Sequence, residues 1–179
     1  MSNHVITMYD YHVWANQTLI NRLKEVPREL YTQEMKSVFP TIAKTLVHVY
    51  LVDSTWIEIM KGAEMKDAMA ANLSQMEQLE AKTLEELEVF FHEVAQKYRG
   101  FISAHDDLDQ TIVLDNPYTR VRETSYTEIL MNIITHATYH RGNISAMLRQ
   151  ADYASTMTDY ALYWYEKNKD LATAENRCE

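Results

Sequence analysis

The fold is decided by residues 125–150, SYTEILMNIITHATYHRGNISAMLRQ, which predict one long amphipathic helix. Ser125 and Glu128 have the spacing of a capping box, which begins a helix by satisfying its first backbone N–H groups. Apolar residues then recur at helical spacing: Ile129, Leu130, Ile133, Ile134, Ala137, Ile144, Met147 and Leu148. The same stretch carries His136 and His140, and a separation of four residues places both rings on one side of a helix.

Both histidines lie at the border of the apolar face of this helix. With about 100° of rotation per residue, His136 points about 80° from the centre of the apolar stripe and His140 about 40°. A half-buried imidazole costs free energy unless its nitrogens find partners. A metal ion shared by the two rings is one such partner, and water or a carboxylate is another. The pair is therefore a candidate metal site, although its spacing alone is a weak signal.

The surrounding residues exclude several known metal and cofactor motifs. Ala137 follows His136 where the HExxH zinc peptidases carry a glutamate. No histidine of the chain has a glutamate three residues before it, which excludes the ExxH motifs of di-iron bundles. No CxxCH sequence for covalent haem occurs either. The pair therefore belongs to none of these classes.

The composition favours one helical domain. The chain has 179 residues, of which 46% are hydrophobic, and only 3 Gly and 3 Pro interrupt it. So few helix breakers over this length favour long helices over a β fold with many turns. We expect a single domain over residues 1–170 and a polar tail over residues 171–179.

The charge pattern argues against nucleic acid and membranes as partners. Lys and Arg number 17 against 26 Asp and Glu, which gives a net charge of −9 without any basic run. No stretch of 18 apolar residues predicts a membrane span, and the N-terminus lacks the features of a signal peptide. The single cysteine, Cys178, precludes an intrachain disulfide and fits a reducing compartment. We therefore expect a cytoplasmic protein.

Three further amphipathic helices complete the predicted architecture, an all-α four-helix bundle. They cover about residues 3–26, 40–62 and 83–105, with Pro40 in the first turn of the second helix and Gly62 at its end. Residues 63–82 predict a crossover connection with short helical turns. The runs QTIVL and TRVRE flank DNPY and predict a small β-hairpin before the fourth helix. A short C-terminal helix, with Tyr160, Tyr163 and Trp164 on one face, follows the fourth.

His48 lies on the second predicted helix at the same border of its apolar face. A single histidine in such a position is more often a satisfied or solvent-exposed side chain. With His136 and His140 on another helix of the bundle, however, three rings can converge on one ion.

Three segments of the chain resemble the DinB family, also called DinB/YfiT-like metalloenzymes. These segments are YDYHVWANQTLI (residues 9–20), HVYLVDSTWIEIMKG (48–62) and THATYHRGNISAML (135–148), and the resemblance spans nearly the whole chain. It implies a four-helix bundle, often homodimeric, that holds a divalent metal with one histidine of the second helix and two of the fourth. By position these ligands are His48, His136 and His140, the three residues that the helical wheels select.

The resemblance also implies an activity. Known reactions in the wider superfamily are metal-dependent transfers of low-molecular-weight thiols such as bacillithiol, mycothiol or glutathione. Some thiol-using relatives carry a glutamate where this chain has His136. The implied partners are a small-molecule substrate, such as a low-molecular-weight thiol, and a second copy of the chain.

A site with three neutral imidazoles and an open fourth position has the chemistry of a catalytic zinc centre, and it accepts nickel or a similar divalent ion too. On the wheels, Asp53 and Glu58 point at least about 80° from His48, so no carboxylate accompanies the histidines. That gap favours a metal-dependent thiol transferase, because a coordinated thiol loses its proton without a separate base. A metal-water hydrolase and a non-enzymatic metal-binding or stress-response bundle are the alternatives.

We also make predictions for four residues near the pair of histidines on the fourth helix. Asn132 and Asn143 fall within about 40° of His136 and either orient the ligands or form a solvated rim. Arg141 points away from the pair and is expected to find a partner inside the bundle. Gly142 costs about 1 kcal/mol in a helix and suggests a close helix or subunit approach. Because imidazole binds metal only when neutral, we expect metal-dependent stabilisation to fade below about pH 6.

Overall fold

The computed structural model describes the backbone of residues 2–175 and the side chains of residues 4–167, and it confirms the all-α architecture. Its helices are α1 Ser2–Lys24, α2 Ile42–Met60, α3 Met65–Leu73, α4 Met76–Glu80, α5 Leu84–Ser103, α6 Tyr126–Gln150 and α7 Tyr160–Glu175. The first five residues of the predicted tail continue α7. Cys178 lies outside the described residues.

Helices α1, α2, α5 and α6 form the bundle. Helix α6 packs against α1 and α2, and α5 packs against the same two helices, so α1 and α2 stand at opposite corners. The predicted connection over residues 63–82 forms α3 and α4, which pack along α2. Within residues 2–175, no helix has both the length and the apolar character needed to cross a bilayer.

The predicted hairpin is present between α5 and α6. Strands β1 Thr111–Asp115 and β2 Val121–Ser125 pair antiparallel, with Ile112 opposite Thr124 and Leu114 opposite Arg122. Most of the hairpin is exposed, but Leu114 and Thr124 are buried against the bundle. The hairpin therefore forms a wall beside the first turns of α6.

Helix α2 begins two residues later than the sequence predicts. Thr41 is its N-cap, and the Thr41 hydroxyl accepts a hydrogen bond of 3.1 Å from the Lys44 N–H. Pro40 thus precedes the cap and does not lie in the first turn. Gly62 follows the helix end with a φ of 99°, a left-handed conformation that glycine adopts without strain.

The capping box predicted at Ser125 is only half formed. The Ser125 hydroxyl accepts the Glu128 N–H at 3.2 Å. The Glu128 carboxylate, however, accepts hydrogen bonds from Thr124 at 2.5 Å and Arg122 at 3.1 Å on β2. These partners keep it from returning to the Ser125 backbone, whereas the box between Thr83 and Glu86 on α5 is complete.

The core consists of two large apolar clusters along the bundle. One contains Val5 to Ala15 of α1 and Ile129 to Ile134 of α6, and the other contains Leu19 to Leu23 of α1 and Ile144 to Leu148 of α6. Polar side chains on α1, α2 and α6 lie between and beside these clusters and are as buried as the core itself.

Two expectations about packing differ from the structure. The Tyr160 ring of α7 contacts those of Tyr163 and Trp164, but only Tyr163 is buried, and Trp164 is 53% exposed, so the aromatic face lies only partly in the core. A Cβ built on Gly142 meets no atom within 4 Å. Gly142 therefore marks no close approach between helices of the described chain.

Candidate metal centre

The structure brings His48, His136 and His140 together at the seam between α2 and α6. His48 projects from α2, and the other two project from successive turns of α6. One ligand nitrogen from each ring lies within 4.8 Å of the others. The ring centroids are 4.5–4.9 Å apart. The rings from the two helices thus surround one point, as the helical wheels predict.

The spacing of the nitrogens fits a shared divalent ion. Zn–N bonds of about 2.0–2.1 Å in a tetrahedral site place two ligand nitrogens about 3.3 Å apart. The His48 and His136 Nε2 atoms are 2.9 Å apart, slightly closer than this value. The ligand nitrogens of all three rings lie within 4.8 Å of one another, so rotations of the side chains would bring them to the separation that a bound ion requires.

The protonation states also suit a metal. Burial, followed by the neighbouring His140 and His48 rings, lowers the pKa of His136 to about 4. Burial and the His48 ring lower the pKa of His140 to about 4, and burial lowers the pKa of His48 from its ordinary value. The rings are therefore neutral, as metal ligands must be, well below pH 7. The expected loss of metal binding thus moves to a pH below about 6.

The three rings have little else to bind. The Nδ1 atoms of His136 and His140 are buried without a hydrogen-bond partner among the described residues. No carboxylate of residues 4–167 joins the group. A buried polar nitrogen without a partner costs about 1–3 kcal/mol. Independently of the Nδ1 atoms, a group of imidazoles that no carboxylate joins has the donor set for an external cation, which would bind one nitrogen of each ring.

Aromatic side chains cover two sides of the cluster. The Phe39 ring lies 4.6 Å from the ring of His48 and 5.6 Å from that of His140. The Tyr139 ring lies 5.0 Å from His140 and is itself 59% exposed. Phe39 comes from the loop before α2 and was not predicted, because a loop residue has no periodicity to reveal its direction.

The two asparagines predicted near the cluster do not bind its rings in the described chain. Asn143 donates its side-chain N–H to the Tyr139 carbonyl at 3.1 Å, one turn back on α6. Asn132 is exposed one turn before His136. Both therefore match the alternative of a solvated rim.

A fourth histidine, His12, lies in the bundle interior and has a carboxylate partner. Its Nε2 atom is 2.9 Å from Asp53 Oδ2, and both side chains are 2% exposed. Asn16 Nδ2 is 3.2 Å from the same Nε2 atom. A ring nitrogen that carries a proton donates a hydrogen bond and cannot also accept one. We therefore place the proton of His12 Nε2 in the bond with Asp53.

Arg141 extends this buried network to α6. Its guanidinium donates to Asn16 Oδ1 at 2.8 Å and to the Thr138 hydroxyl at 2.7 Å. Burial lowers the pKa of Arg141, while Tyr11 and Asp53 act in the opposite direction. The prediction that Arg141 finds its partner inside the bundle is confirmed. Sequence patterns missed the pairing of His12 with Asp53, which are 41 residues apart on opposite helices.

Comparison with known proteins gives two matches. The family model described as "DinB family" matches residues 1–175 of the chain. "Protein DinB" of Bacillus subtilis (strain 168) is 46% identical over 172 residues, which cover 96% of this chain and 100% of that protein.

Proposed function

Because the chain belongs to the DinB family, we propose that it binds one divalent metal ion through His48, His136 and His140. The observation that supports the proposal most is the convergence of three rings that have no carboxylate near them. Zinc, nickel or a similar ion suits three imidazole nitrogens. The lowered pKa values of His136 and His140 keep these nitrogens available at neutral pH.

The proposed activity is a metal-dependent transfer that uses a low-molecular-weight thiol. A bound ion would lower the pKa of a coordinated thiol, which supplies the nucleophile. Three histidines would leave coordination positions on a bound ion open for a ligand. His48 and His136 are half-buried, so molecules from solvent can reach these positions. Phe39 restricts water on one side of the cluster.

The position of the carboxylates favours this activity over a metal-water hydrolase. A hydrolase of this kind requires a general base within hydrogen-bonding reach of the attacking water. Asp53 is buried and bound to His12. Glu128 lies eight residues before His136 on α6, a separation of about 12 Å along the helix axis. Neither is positioned as a base at the histidine cluster.

We further propose a cytoplasmic homodimer in which residues 1–170 form one domain. Family resemblance supports the dimer, and the exposed side chains of Trp164 and Tyr165 on α7 provide apolar surface for a second copy. Light scattering of the purified protein at high concentration tests this proposal. A monomer mass would contradict the dimer.

The function is tested by thermal shift of chelator-stripped protein with and without added Zn²⁺ or Ni²⁺, against a panel of thiols. Binding to the folded state alone raises the melting temperature. We expect a thiol to raise it only when metal is present, and we expect no thiol effect in His136→Ala. A shift from metal alone with none from any thiol would favour the non-enzymatic alternative. Absence of any metal shift would contradict the proposal.

A further inference from the structure

A surface cavity of about 360 Å³ lies where α1 ends and α5 begins. This volume is within the range of about 300–1,000 Å³ that small-molecule sites occupy. Its walls are the last turn of α1, the short 3₁₀ helix Arg28–Tyr31 and residues 80–85 at the junction of α4 and α5. Among the described residues that line it, none belongs to α6 and none is a histidine of the metal centre. We call it the Tyr31 cavity.

The deepest part of the Tyr31 cavity is apolar. Leu23 of α1 and Leu84 of α5 line it and are only 5% and 8% exposed, so these two side chains form its floor. The Tyr31 ring, which packs against the apolar core, and the methyl group of Ala81 add to the apolar surface. A molecule that covers this surface gains free energy by removing apolar area from water.

The Tyr31 hydroxyl is a polar group of this wall without a partner. Tyr31 is half-buried, and its hydroxyl oxygen is buried without a hydrogen bond to any described residue. Burial raises the pKa of Tyr31, and so does the charge of Glu85, which lines the same cavity. The hydroxyl therefore keeps its proton and remains a hydrogen-bond donor. A buried donor without an acceptor costs free energy, which an acceptor on a ligand would recover.

The charged residues of the lining already have partners of opposite charge. Arg28 and Glu85 both line the cavity and pair with each other at 3.1 Å. The other three pair with residues outside the lining: Lys24 with Glu88 at 2.6 Å, Lys82 with Glu86 at 2.8 Å and Glu80 with Lys44 at 3.6 Å. A charged ligand would lose water without meeting a free counter-charge among these residues. The lining therefore favours a neutral ligand over an ion.

We propose that the Tyr31 cavity binds a neutral, mostly apolar small molecule that accepts a hydrogen bond from the Tyr31 hydroxyl through a carbonyl group or a similar acceptor. The apolar floor supplies the affinity, and the hydroxyl orients the ligand. The paired charges at the wall select against ions. This site is separate from the histidine cluster, so it does not depend on a bound metal ion.

The test uses two neutral probes: acetophenone, an aromatic ketone, and α-methylstyrene, which has a CH₂ group in place of the ketone oxygen. NMR titration of the isotope-labelled full chain measures both affinity and location. We expect both probes to shift the amide signals of residues 23–24, 31–32 and 80–85. Tyr31→Phe removes only the hydroxyl, so it should weaken acetophenone binding about 3- to 10-fold, the effect of one neutral hydrogen bond. It should change α-methylstyrene binding by less than about 2-fold, and the control Tyr118→Phe, at a tyrosine 72% exposed on the hairpin, should change neither.

The melting temperature without any probe separates a ligand-binding hydroxyl from a structural one. Because the Tyr31 hydroxyl has no partner among the described residues, Tyr31→Phe should melt no lower than wild type. A lower melting temperature would show that the hydroxyl is bound within the protein, and it would overturn the proposal. Absence of acetophenone binding in the cavity, or an equal effect of Tyr31→Phe on the two probes, would overturn it as well. Chelator-stripped and zinc-loaded protein should give the same affinities, whereas dependence on zinc would contradict a separate site.

Discussion

Two polar groups that contain histidines lie in the same bundle with different surroundings. His12 has a buried carboxylate, Asp53, at 2.9 Å, and Asn16 beside it accepts a hydrogen bond from Arg141. His136 and His140 have each other and His48, and no carboxylate of residues 4–167 joins them. The first group contains an acidic partner from the protein itself, whereas the second offers one nitrogen of each ring to an ion that the protein binds.

The difference shows how to distinguish a structural histidine from a ligand histidine. A buried polar group usually has a protein partner, because its desolvation is otherwise uncompensated. The pairing of His12 with Asp53 follows this rule and joins opposite corners of the bundle. Several imidazoles that converge without a carboxylate depart from this rule, because no acidic side chain of the protein is their partner. Such departures concentrate at binding sites. Substitutions in the His12 network should therefore change stability, and substitutions in the histidine cluster should change metal binding.

Asp53→Ala in the His12 network should have the largest effect, a decrease in the free energy of unfolding. Removing one partner of a buried pair costs about 3–5 kcal/mol. Urea unfolding of the chelator-stripped protein measures the loss, and Asp53→Asn, which retains a hydrogen-bonding side chain, should restore part of it. The matched control is Glu58→Ala on the same helix, whose exposed ion pairs with Lys61 and Lys97 predict a change of about 0.5 kcal/mol or less.

Asp53→Ala should still bind one metal ion where it remains folded, because Asp53 does not belong to the histidine cluster. Loss of metal binding in folded Asp53→Ala would show that the two groups are not independent. A change in stability no larger than that of Glu58→Ala would show that the buried pair does not contribute as described.

The next largest effect is the dependence of the protein's stability on pH. In the metal-free folded protein the pKa of His136 and His140 is about 4, against about 6.5 in an unfolded chain. Between these values the unfolded chain binds protons that the folded rings do not, so stability falls as pH is lowered from about 6.5 to about 4. Above about 6.5 these rings contribute no further change.

The double variant His136→Gln, His140→Gln isolates this contribution. Melting temperatures of metal-free wild type and variant, measured from pH 4 to pH 8, should differ in slope only in the acidic range. Parallel curves over the whole range would mean that the two rings titrate normally in the folded protein.

A smaller effect is expected from Phe39→Ala at the wall of the cluster. The Phe39 ring contacts His48 and His140 and is half-buried, so its loss should cost about 1–2 kcal/mol. Burial lowers the pKa of His48, so removing the ring should raise that pKa toward 6.5. Titration of the histidine ring protons by NMR in metal-free protein measures this. Val38→Ala, at a neighbouring residue that is 55% exposed, should leave the His48 titration unchanged.

The smallest expected effect is a stabilisation by Gly142→Ala. This glycine follows Arg141 of the network and His140 of the cluster on α6, and a Cβ there meets no atom of the described chain within 4 Å. Alanine should stabilise the helix by about 0.5–1 kcal/mol and leave metal binding unchanged. Gly100→Ala on α5 has the same open surroundings and serves as the control. Destabilisation at Gly142 alone would indicate that a second copy of the chain packs there.

Local patterns in the sequence predicted the helices and the histidine cluster well. The spacing of His136 and His140, and the border position of His48, are properties of single helices that a wheel reveals. The DinB resemblance independently selected the same residues. The structure then brings α2 and α6 side by side, which an amphipathic pattern alone does not specify.

Contacts between distant elements were not predictable in the same way. The wheel placed Asp53 away from His48 but could not identify His12 as its partner across the bundle. The capping box at Ser125 was only half right, because Arg122 and Thr124 of the adjacent strand compete for Glu128. The surface cavity lined by Trp56, Leu114 and Asn132 likewise exists only where α2, the hairpin and α6 meet.

The most direct test of the central claim is isothermal titration of chelator-stripped protein with Zn²⁺ at pH 7.5. We predict one ion per chain for wild type, for His92→Ala at an exposed position and for His12→Gln in the buried network. His48→Ala, His136→Ala and His140→Ala should each lose stoichiometric binding while circular dichroism shows a retained helical fold. Absence of binding in wild type, or one ion per chain in any two of the last three variants, would contradict the assignment of the metal to these three histidines.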